Sequence, residues 1–550
     1  MTLSRNFAFF SPQGDFFQKN QQFMQKQGST AECGGQVIYV LEAARALASL
    51  GHKVNVFARN YSTDQIEFET IENCPGVQIF HIPTSAPHHI QKEDFYPYYA
   101  EYLAKTIRVV EDNKLHFDAI IGHYADGMFI GTGLESYIDS TTGRKTPLIG
   151  ITHSIGLEKA ESFLIDPKIS TTEKFNHQIK KCNIHTRLGC EIAALNKMDG
   201  MICVSQHHMK LLFTDYGFFE DQMAIIPGGA NQKTFSNFNL SATEKHLEKD
   251  RLIAEALSHR TDIANSSREH IRNDNIIFGF GRLVEAKGVF NAVKSMEFTL
   301  KRFPNSVYVY AGGNIPPQNA EEKDLYDRCM AHAEEKGYKD RIIFLGRQDQ
   351  KDIARWLNVS SVYLHAAYLE PFGLAPIEAA ITGIPTVISK EAGVAELMEN
   401  NEHTLHTNPE DPSDISKQVS RIINNPLLAS RLADEAQDVI NQHATWDARA
   451  KQIVNFLVKE VESLYFPNRE KRTRTDNPFA PYALAALGSY DTTKIGSDIQ
   501  DYFSRSRTAL SHIVNENSGE IKNPALDKLV SIEKEFMIKR SGGGTENEPA

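Results

Sequence analysis

Apolar residues near the start of the chain form two short runs with a helical pattern between them. Residues 6–10 and 53–58 are apolar enough for buried strands. The apolar positions between them recur at steps of three and four: Val37, Val40, Leu41, Ala44, Leu47 and Ala48. That spacing is typical of a helix that buries one face, and Gly51 follows it as a C-cap residue would. The pattern predicts strand, loop, helix, strand.

Further strand-like runs follow in two series, with helical patterns between them. The first series is 77–82, 119–121, 148–152, 200–204 and 224–226, and the second is 276–281, 307–312, 342–345, 362–365 and 386–389. Strands that alternate with helices indicate parallel sheets covered on both faces. The sequence therefore predicts an α/β protein built from two doubly wound, Rossmann-like halves in tandem.

The polar and charged stretch 237–274 separates the two series and is interpreted as a helical linker. We predict an N-terminal domain at 1–236, a second domain at 275–466 and a C-terminal helical extension at 467–550 with a disordered end. In doubly wound sheets ligands bind beyond the carboxyl ends of the strands. Two such halves that face each other are expected to bind a ligand in the cleft between them.

Charge and hydropathy exclude several classes of protein. The 550 residues contain 59 Lys and Arg against 70 Asp and Glu, a net charge of −11. A nucleic-acid-binding protein is usually basic, so no nucleic-acid partner is expected. No window approaches the roughly 18 consecutive apolar residues that a membrane span needs. Stable membrane insertion is therefore not expected either.

The cysteines and the N-terminus indicate the compartment. The six cysteines form no C-x-x-C motif and are too few for a disulfide framework. The first residues have neither a long apolar core nor a small-residue cleavage site, so they do not resemble a signal peptide. We expect a cytoplasmic protein with reduced thiols.

Gly34 and Gly35 lie between a predicted strand and the start of a predicted helix. Without a Cβ they let the backbone approach a ligand closely, and the free amides of a helix start favour an anion. The alternative is a tight turn without a ligand.

Arg282 and Lys287 lie in the sequence GRLVEAKG, directly after the predicted strand at 276–281. Two cations at the carboxyl end of a buried strand can neutralise the charge that grows on a diphosphate leaving group. The alternative is a pair of solvated side chains on a loop, and the position after a buried strand favours phosphate binding.

Two carboxylates flank the turn in EPFGLAPIE. Glu370 precedes it and Glu378 lies in the helix predicted after it. Carboxylates accept hydrogen bonds from sugar hydroxyls. The turn amides are expected to be free to donate as well: Phe372, Gly373 and Leu374. The alternative is an exposed acidic pair around a helix cap.

His153 ends the predicted strand at 148–152 and can hydrogen-bond a substrate hydroxyl, although a lone histidine is more often structural. No Asp-x-Asp pair is present, so a metal–diphosphate site of that kind is not expected. The His-His pairs at 88–89 and 207–208 lack metal-ligand spacing and are interpreted as surface residues. No metal or other cofactor is predicted.

Together these motifs resemble glycosyltransferase family 4, whose members retain anomeric configuration and have the GT-B fold. The resemblance covers about residues 5–465 and is most specific at EPFGLAPIEA and the following G-x-P-T-V. Within the family the chain is most similar to the sucrose-phosphate synthase and mannosylfructose-phosphate synthase branch. The residues that carry this are GGQV (34–37), HYADG (123–127), THSIG (152–156) and the stretch 187–206.

The resemblance implies a role for each candidate residue. Arg282 and Lys287 would hold the diphosphate of a nucleotide sugar, Glu378 its ribose and Glu370 the donor sugar. His153 would contact that sugar near the reacting centre, and Gly35 and Gln36 would lie between donor and acceptor. Three cations would hold an acceptor phosphate: Lys92, Lys159 and Arg187.

The function implied is a metal-independent, retaining hexosyl transfer from a nucleoside-diphosphate sugar, in the first place UDP-glucose, to a phosphorylated sugar such as fructose 6-phosphate. Two alternatives stay open. One is a glycosyltransferase with a cell-envelope glycan, lipid or protein as its acceptor, and the other is an inactive scaffold that binds sugar nucleotides.

Overall fold

The computed structural model describes residues 4–16, 35–87, 90–165, 169–258, 274–471, 476–494, 497–515 and 524–541. The chain divides into two compact units. Of the described residues, the first unit contains those up to 226 and those from 450 onward, and the second contains those in 227–449.

The first unit is built on an eight-stranded sheet with the order β3-β4-β2-β1-β5-β6-β7-β8. Its strands are β1 (Asn6–Ser11), β2 (Lys53–Arg59), β3 (Glu67–Ile71), β4 (Cys74–Ile82), β5 (Ala119–His123), β6 (Leu148–Ile151), β7 (Gly200–Cys203) and β8 (Met223–Ile225). Every pairing is parallel except that of β3 with β4. The central strand β1 has five buried residues of six, as a strand covered on both faces requires.

Helices follow most of these strands. They are α1 (Gly35–Ser49), α2 (Tyr99–Asp112), α3 (Tyr124–Thr142), α4 (Gly156–Ile165), α5 (Thr172–Lys181), α6 (Ile184–Leu195) and α7 (Gln206–Tyr216). Single 3-10 turns lie at Lys92–Asp94, Tyr96–Tyr98 and Glu220–Gln222. Ser205 caps α7 by accepting a hydrogen bond from the amide of His208. Because β1, β5 and β6 are neighbours in the sheet, their carboxyl ends lie side by side. The candidate residues of this unit come directly after these strand ends.

The second unit has a six-stranded parallel sheet with the order β11-β10-β9-β12-β13-β14. Its strands are β9 (Asn275–Phe280), β10 (Ser306–Ala311), β11 (Ile342–Gly346), β12 (Val362–His365), β13 (Thr386–Ser389) and β14 (Leu405–Thr407). Its helices are α8 (Ala242–Ser258), α9 (Val289–Arg302), α10 (Ala320–Glu335), α11 (Gln350–Val359), α12 (Leu374–Ala380), α13 (Pro412–Asn424) and α14 (Pro426–His443). Short 3-10 turns lie at Glu285–Lys287, Lys339–Arg341 and Gly393–Glu396. Since β9 and β12 are neighbours, the loops that follow them lie at the same edge of the sheet.

The C-terminal part of the chain is helical. It contains α15 (Trp446–Phe456), a π-helical segment (Leu457–Tyr465), 3-10 turns at Phe466–Lys471 and Thr492–Lys494, and α16 (Ala480–Gly488), α17 (Gln500–Asn515) and α18 (Pro524–Ser541). The last three helices share the hydrophobic core of the first unit through Phe479, Leu510 and Phe536. No described helix has both the length and the apolarity needed to cross a membrane.

The predicted α/β class and C-terminal helices are confirmed, and each predicted strand overlaps an observed one. Two strands were missed, β3 and β14. Only one of the five side chains of β3 is buried, so its sequence carries little apolar signal. β14 has only three residues, fewer than a period-two pattern needs to be recognised.

The observed units and the predicted domain limits differ in two places. The chain enters the second unit at residue 227 rather than 237, and it rejoins the first unit at 450 rather than continuing to 466. The stretch predicted as a linker contains α8, which buries Leu252, Ile253 and Leu257. Arg355 of α11 donates to Glu248 of α8, so this helix is attached to the second unit.

Candidate active site

The GRLVEAKG loop after β9 is held against the end of β12. Gly288 has a φ of +65°, and a Cβ there would come within 1.8 Å of the carbonyl oxygen of Ala366. Only glycine permits this approach. The amide of Tyr368 donates to the carbonyl of Ala286 at 2.9 Å, which ties the two loops together.

This attachment brings Lys287 to Glu370. The Lys287 ammonium donates a hydrogen bond to the Glu370 carboxylate, and Nε2 of the buried His365 lies 3.4 Å from the same carboxylate. Burial alone would raise the pKa of Glu370, but Lys287 and His365 hold it well below its ordinary value. Glu370 is therefore ionised over the whole physiological range.

Arg282 is exposed, and its guanidinium forms no ion pair with any residue that the structure describes. Its backbone is fixed instead, because the Tyr310 hydroxyl donates to its carbonyl oxygen at 3.0 Å. Burial raises the pKa of Tyr310, so this donor stays protonated. The loop thus contains one cation paired with a carboxylate and one cation available to an anionic ligand.

The EPFG turn leads directly into α12. Gly373 has a φ of +104° at the N-cap of that helix, a conformation that favours glycine. Glu378 lies in α12 with its side chain buried, and it contributes with Glu370 to the electrostatic surroundings of the buried Tyr363. Among the described residues, the amides of Phe372, Gly373 and Leu374 have no hydrogen-bond acceptor.

In the first unit, Gly35 starts α1 and is exposed, while Gly34 lies outside the described residues. The side-chain amide of Gln36 donates to Ser11 Oγ at the end of β1, over 3.1 Å. The start of α1 is therefore attached to the carboxyl edge of the sheet.

His153 lies two residues beyond β6, next to His123 at the end of β5. Nδ1 of His123 and Nε2 of His153 are 3.2 Å apart, and the ring centroids are 5.4 Å apart with nearly parallel planes. Tyr39 of α1 packs edge-on against His153 at 5.0 Å. Burial, with a smaller contribution from His208, lowers the pKa of His153 to about 3, so the imidazole is neutral.

The interpretation of residues 207 and 208 as surface residues holds for the first and was wrong for the second. His207 is exposed, but the side chain of His208 is fully buried in α7. Its Nδ1 lies 3.0 Å from Thr152 Oγ1 and its Nε2 lies 3.2 Å from Glu158. His208 therefore connects the residue before His153 to α4. The pair at 88–89 lies outside the described residues.

Two of the three cations suggested for an acceptor phosphate lie over the same aromatic ring. Lys92 Nζ lies 5.3 Å and Arg187 Cζ 4.7 Å from the ring centroid of Tyr124. Arg187 also donates from Nε to Glu191 at 2.8 Å, so its charge is balanced. Lys159 is positioned over Phe163, and it and Arg187 both lower the pKa of Cys182, which burial raises.

Tyr124 lies in the HYADG motif, but no role was predicted for it. It begins α3 with a φ of +66°, a strained conformation for a bulky residue. Asp126, on the same turn, is buried and accepts hydrogen bonds from Tyr99 and Gln13. Burial raises the pKa of Asp126 to about 6, against the opposing effects of those two donors. Neither the strain nor the burial has a signal in the sequence.

No described group of three or more His, Cys, Asp or Glu side chains is arranged to hold a metal ion. That a metal is not required stays a prediction. The candidate residues therefore form two groups, one in each unit: the donor-type residues around Lys287 and Glu370, and the residues around His153 and Tyr124.

Comparison with known proteins identifies the family. Residues 33–233 match the model described as Glycosyltransferase Family 4, and residues 262–439 match the one described as Glycosyl transferases group 1. The chain belongs to the family 4 glycosyltransferases. The predicted resemblance is thereby confirmed, and helices α16–α18 lie outside both matched regions.

Relatives from the same branch are similar at low identity. A mannosylfructose-phosphate synthase from Agrobacterium fabrum is 24% identical over 77% of this chain and 86% of its own length. A probable sucrose-phosphate synthase from Thermosipho melanesiensis is 22% identical over 82% of this chain and 96% of its own.

Solved GT-B structures share the fold. A sucrose-phosphate synthase from Thermosynechococcus elongatus aligns with a TM-score of 0.61 at 21% identity, covering 83% of this chain and 98% of that one. HepE from Anabaena, in complex with UDP and glucose, aligns with a TM-score of 0.57 at 16% identity, covering 83% and 100%. The glycosyltransferase therefore has the GT-B fold that its motifs indicated.

Proposed function

We propose that this glycosyltransferase moves a hexosyl group from a nucleoside-diphosphate sugar to a phosphorylated sugar with retention of anomeric configuration and without a metal ion. UDP-glucose is the donor and fructose 6-phosphate the acceptor to be tested first, because the relatives include sucrose-phosphate and mannosylfructose-phosphate synthases.

The observation that carries the proposal is the arrangement of Arg282, Lys287 and Glu370. The two loops that supply them follow neighbouring strands and are tied together by the bond between Tyr368 and Ala286. Lys287 and Glu370 form an ion pair that holds both side chains in place, so each can contact a substrate while it keeps its partner. Among the described residues Arg282 has no such partner, and it can offer its full charge to a diphosphate.

These groups suit the charge changes of the reaction. As the bond between the anomeric carbon and the diphosphate oxygen breaks, negative charge grows on the leaving group and positive charge on the sugar. Arg282 and Lys287 would stabilise the former. Glu370, which stays ionised, would orient the sugar by accepting hydrogen bonds from its hydroxyls. The departing diphosphate takes the proton from the acceptor hydroxyl, which attacks from the side of the leaving group.

Lys92 and Arg187 support an acceptor that carries a phosphate. Both lie on the ring of Tyr124, and the charge of Arg187 is already balanced by Glu191. Lys92, Lys159 and Arg187 would each donate to the phosphate, and the planar guanidinium of Arg187 would fix its orientation.

The structure gives little support to the alternative in which the acceptor is bound to a membrane. The apolar side chains of the amphipathic helix α2 are buried in the core and are not available for membrane contact, including Leu103, Ile107 and Val110. Helix α17 packs against it and adds Leu510 and Phe503 to the same core. Pelleting with anionic vesicles would reverse this preference.

A donor screen tests the proposal. The full chain is incubated with UDP-, GDP- and ADP-glucose and with GDP-mannose, with and without fructose 6-phosphate, and the released nucleoside diphosphate is measured. We expect release that depends on the sugar phosphate, and a product whose anomeric configuration by NMR matches that of the donor. Nucleotide binding without turnover on any sugar phosphate would instead support the inactive scaffold.

A further inference from the structure

His123 is a buried histidine to which the proposed reaction gives no role. It is the last residue of β5, its side chain is inaccessible to solvent, and it begins the HYADG motif. Phe9 packs against its ring at 4.8 Å and Tyr39 at 6.0 Å. The environment on these sides is apolar, so a charged imidazole is strongly disfavoured.

The polar contact of His123 is with His153. Its Nδ1 lies 3.2 Å from His153 Nε2, and register places β5 and β6 so that His123 is opposite Ile151, two residues before His153. Burial lowers the pKa of both rings, for His123 well below its ordinary value. Each ring therefore carries one proton, and the bond between them contains one proton shared by two nitrogens.

The other nitrogen of His123 decides which ring is the donor. Nε2 of His123 is buried and has no hydrogen-bond partner among the described residues. If His153 donated, the proton of His123 would lie on this Nε2, and a buried N–H would have no acceptor. If His123 donates from Nδ1, Nε2 retains only a lone pair, and unsatisfied acceptors are tolerated better than unsatisfied donors.

We infer that His123 is a positioning residue, which donates from Nδ1 to Nε2 of His153 and so fixes His153 as the tautomer that carries its proton on Nδ1. His153 then presents an N–H donor, not an acceptor, to an oxygen atom of the donor sugar. The second half of this inference rests on the proposed function and on the role that the family resemblance implies for His153, contact with the donor sugar.

The neighbouring contacts hold His153 in this orientation. The ring of Tyr39 packs against one side of it, and the preceding Thr152 is anchored through its hydroxyl to His208 and through its amide to Ile202. Since the backbone is fixed by Thr152, the remaining freedom of His153 is the rotation and protonation of its ring. The bond from His123 removes both.

NMR of the full chain tests the tautomer directly. With ring-¹⁵N-labelled histidine, long-range ¹H–¹⁵N spectra distinguish protonated from unprotonated ring nitrogens, and H153Q assigns the signals of His153 among the 20 histidines. We expect His153 to show a protonated Nδ1 and an unprotonated Nε2. A proton on Nε2 of His153 would overturn the inference, whether or not the chain transfers a hexose.

Two substitutions of His123 test the positioning role. In H123N the side-chain amide offers an N–H near the place of Nδ1, whereas H123L removes the donor at similar volume. We expect H123N to retain the Nδ1 tautomer of His153 and kcat within about 3-fold, and H123L to show mixed tautomers and about 10-fold lower kcat. If both variants kept the wild-type spectrum of His153, or lost activity equally at equal stability, His123 would have no positioning role. Absence of hexosyl transfer by the wild type would refute the proposed function but leave the spectroscopic result valid.

Discussion

The ammonium group of Lys287 is hydrogen-bonded to the carboxylate of Glu370, 83 positions further along the chain. The two residues meet because β9 and β12 are adjacent in the sheet and their loops are joined between Ala286 and Tyr368. The pair keeps Glu370 ionised and Lys287 in a defined place before any substrate binds. A donor site that is ordered in advance loses less conformational entropy on binding.

Arg282→Ala and Lys287→Ala should each lower kcat by about 10²-fold or more, because each removes a group proposed to stabilise the leaving diphosphate. Steady-state release of nucleoside diphosphate measures this effect. Lys301→Ala is the matched control, since Lys301 is exposed on α9 and pairs with Glu297 in its own helix. Near-normal turnover of R282A would remove Arg282 from the mechanism.

The double variant Lys287→Met/Glu370→Gln separates catalysis from structure. Removal of Lys287 alone leaves the partly buried Glu370 without its main cation, so K287M is expected to be less stable than the double variant. The double variant should recover thermal stability but not turnover. Recovery of both would show that the pair is structural.

Lys92→Met should raise the KM for a phosphorylated acceptor about 10-fold or more and change the KM for the donor little. The reason is that the Lys92 ammonium lies over the Tyr124 ring beside Arg187, where the acceptor phosphate is proposed to bind. Lys210→Met, at an exposed position of α7, is the control. An unchanged acceptor KM would argue against a phosphate site beside Tyr124.

The raised pKa of Asp126 predicts that the difference in stability between wild type and Asp126→Asn depends on pH. Because burial raises its pKa from 3.8 to about 6, the folded state binds this proton more tightly than the unfolded state. The stabilisation is present below about pH 4 and is lost as the pH rises through 6. Asp126→Asn cannot ionise, so its stability relative to wild type should increase by about 2 kcal/mol between pH 4 and pH 7.

Chemical denaturation at several pH values measures that difference. Asp64→Asn, at an exposed position, is the control for the substitution itself. A constant difference between D126N and wild type across the range would contradict the raised pKa.

Much of the fold could be predicted because each half repeats strongly apolar strands and amphipathic helices. The strand at 276–281 and the cations after it were predicted from residues alone, since a strand end is a local feature. The ion pair of Lys287 with Glu370 could not be, because it depends on the order β9-β12 within the sheet. No local pattern encodes which strands become neighbours.

The burial of polar residues could likewise not be predicted from the sequence. His207 and His208 have the same chemistry, but α7 turns only one of them towards Thr152 and Glu158. Tyr124 and Asp126 became candidates only when their contacts with Lys92, Arg187 and Tyr99 were seen. In each case the function of the side chain depends on residues that are distant in sequence.

Chelation tests whether the cations replace a metal ion. If Arg282 and Lys287 neutralise the leaving group, EDTA should leave the rate of donor turnover unchanged within experimental error. Complete inhibition that Mg²⁺ reverses would mean that a metal supplies the charge. The R282A variant adds a second test. If Mg²⁺ restored its rate of donor turnover, the reaction would need a cation at the place of Arg282.

The C-terminal helices predict a stability effect far from the sheet. Phe536 of α18 is almost fully buried and stacks on Phe175 of α5, with ring centroids 4.5 Å apart. Its removal leaves a cavity, so Phe536→Ala should lower the free energy of unfolding of the first unit by about 3–5 kcal/mol. Ile538→Ala is the matched control on the same helix, because that side chain is 69% exposed and its loss should change stability by less than about 0.5 kcal/mol. Urea denaturation of both variants distinguishes the two cases: equal midpoints would mean that α18 does not pack on α5 in solution, whereas a loss confined to F536A would make the C-terminal helices part of the glycosyltransferase core.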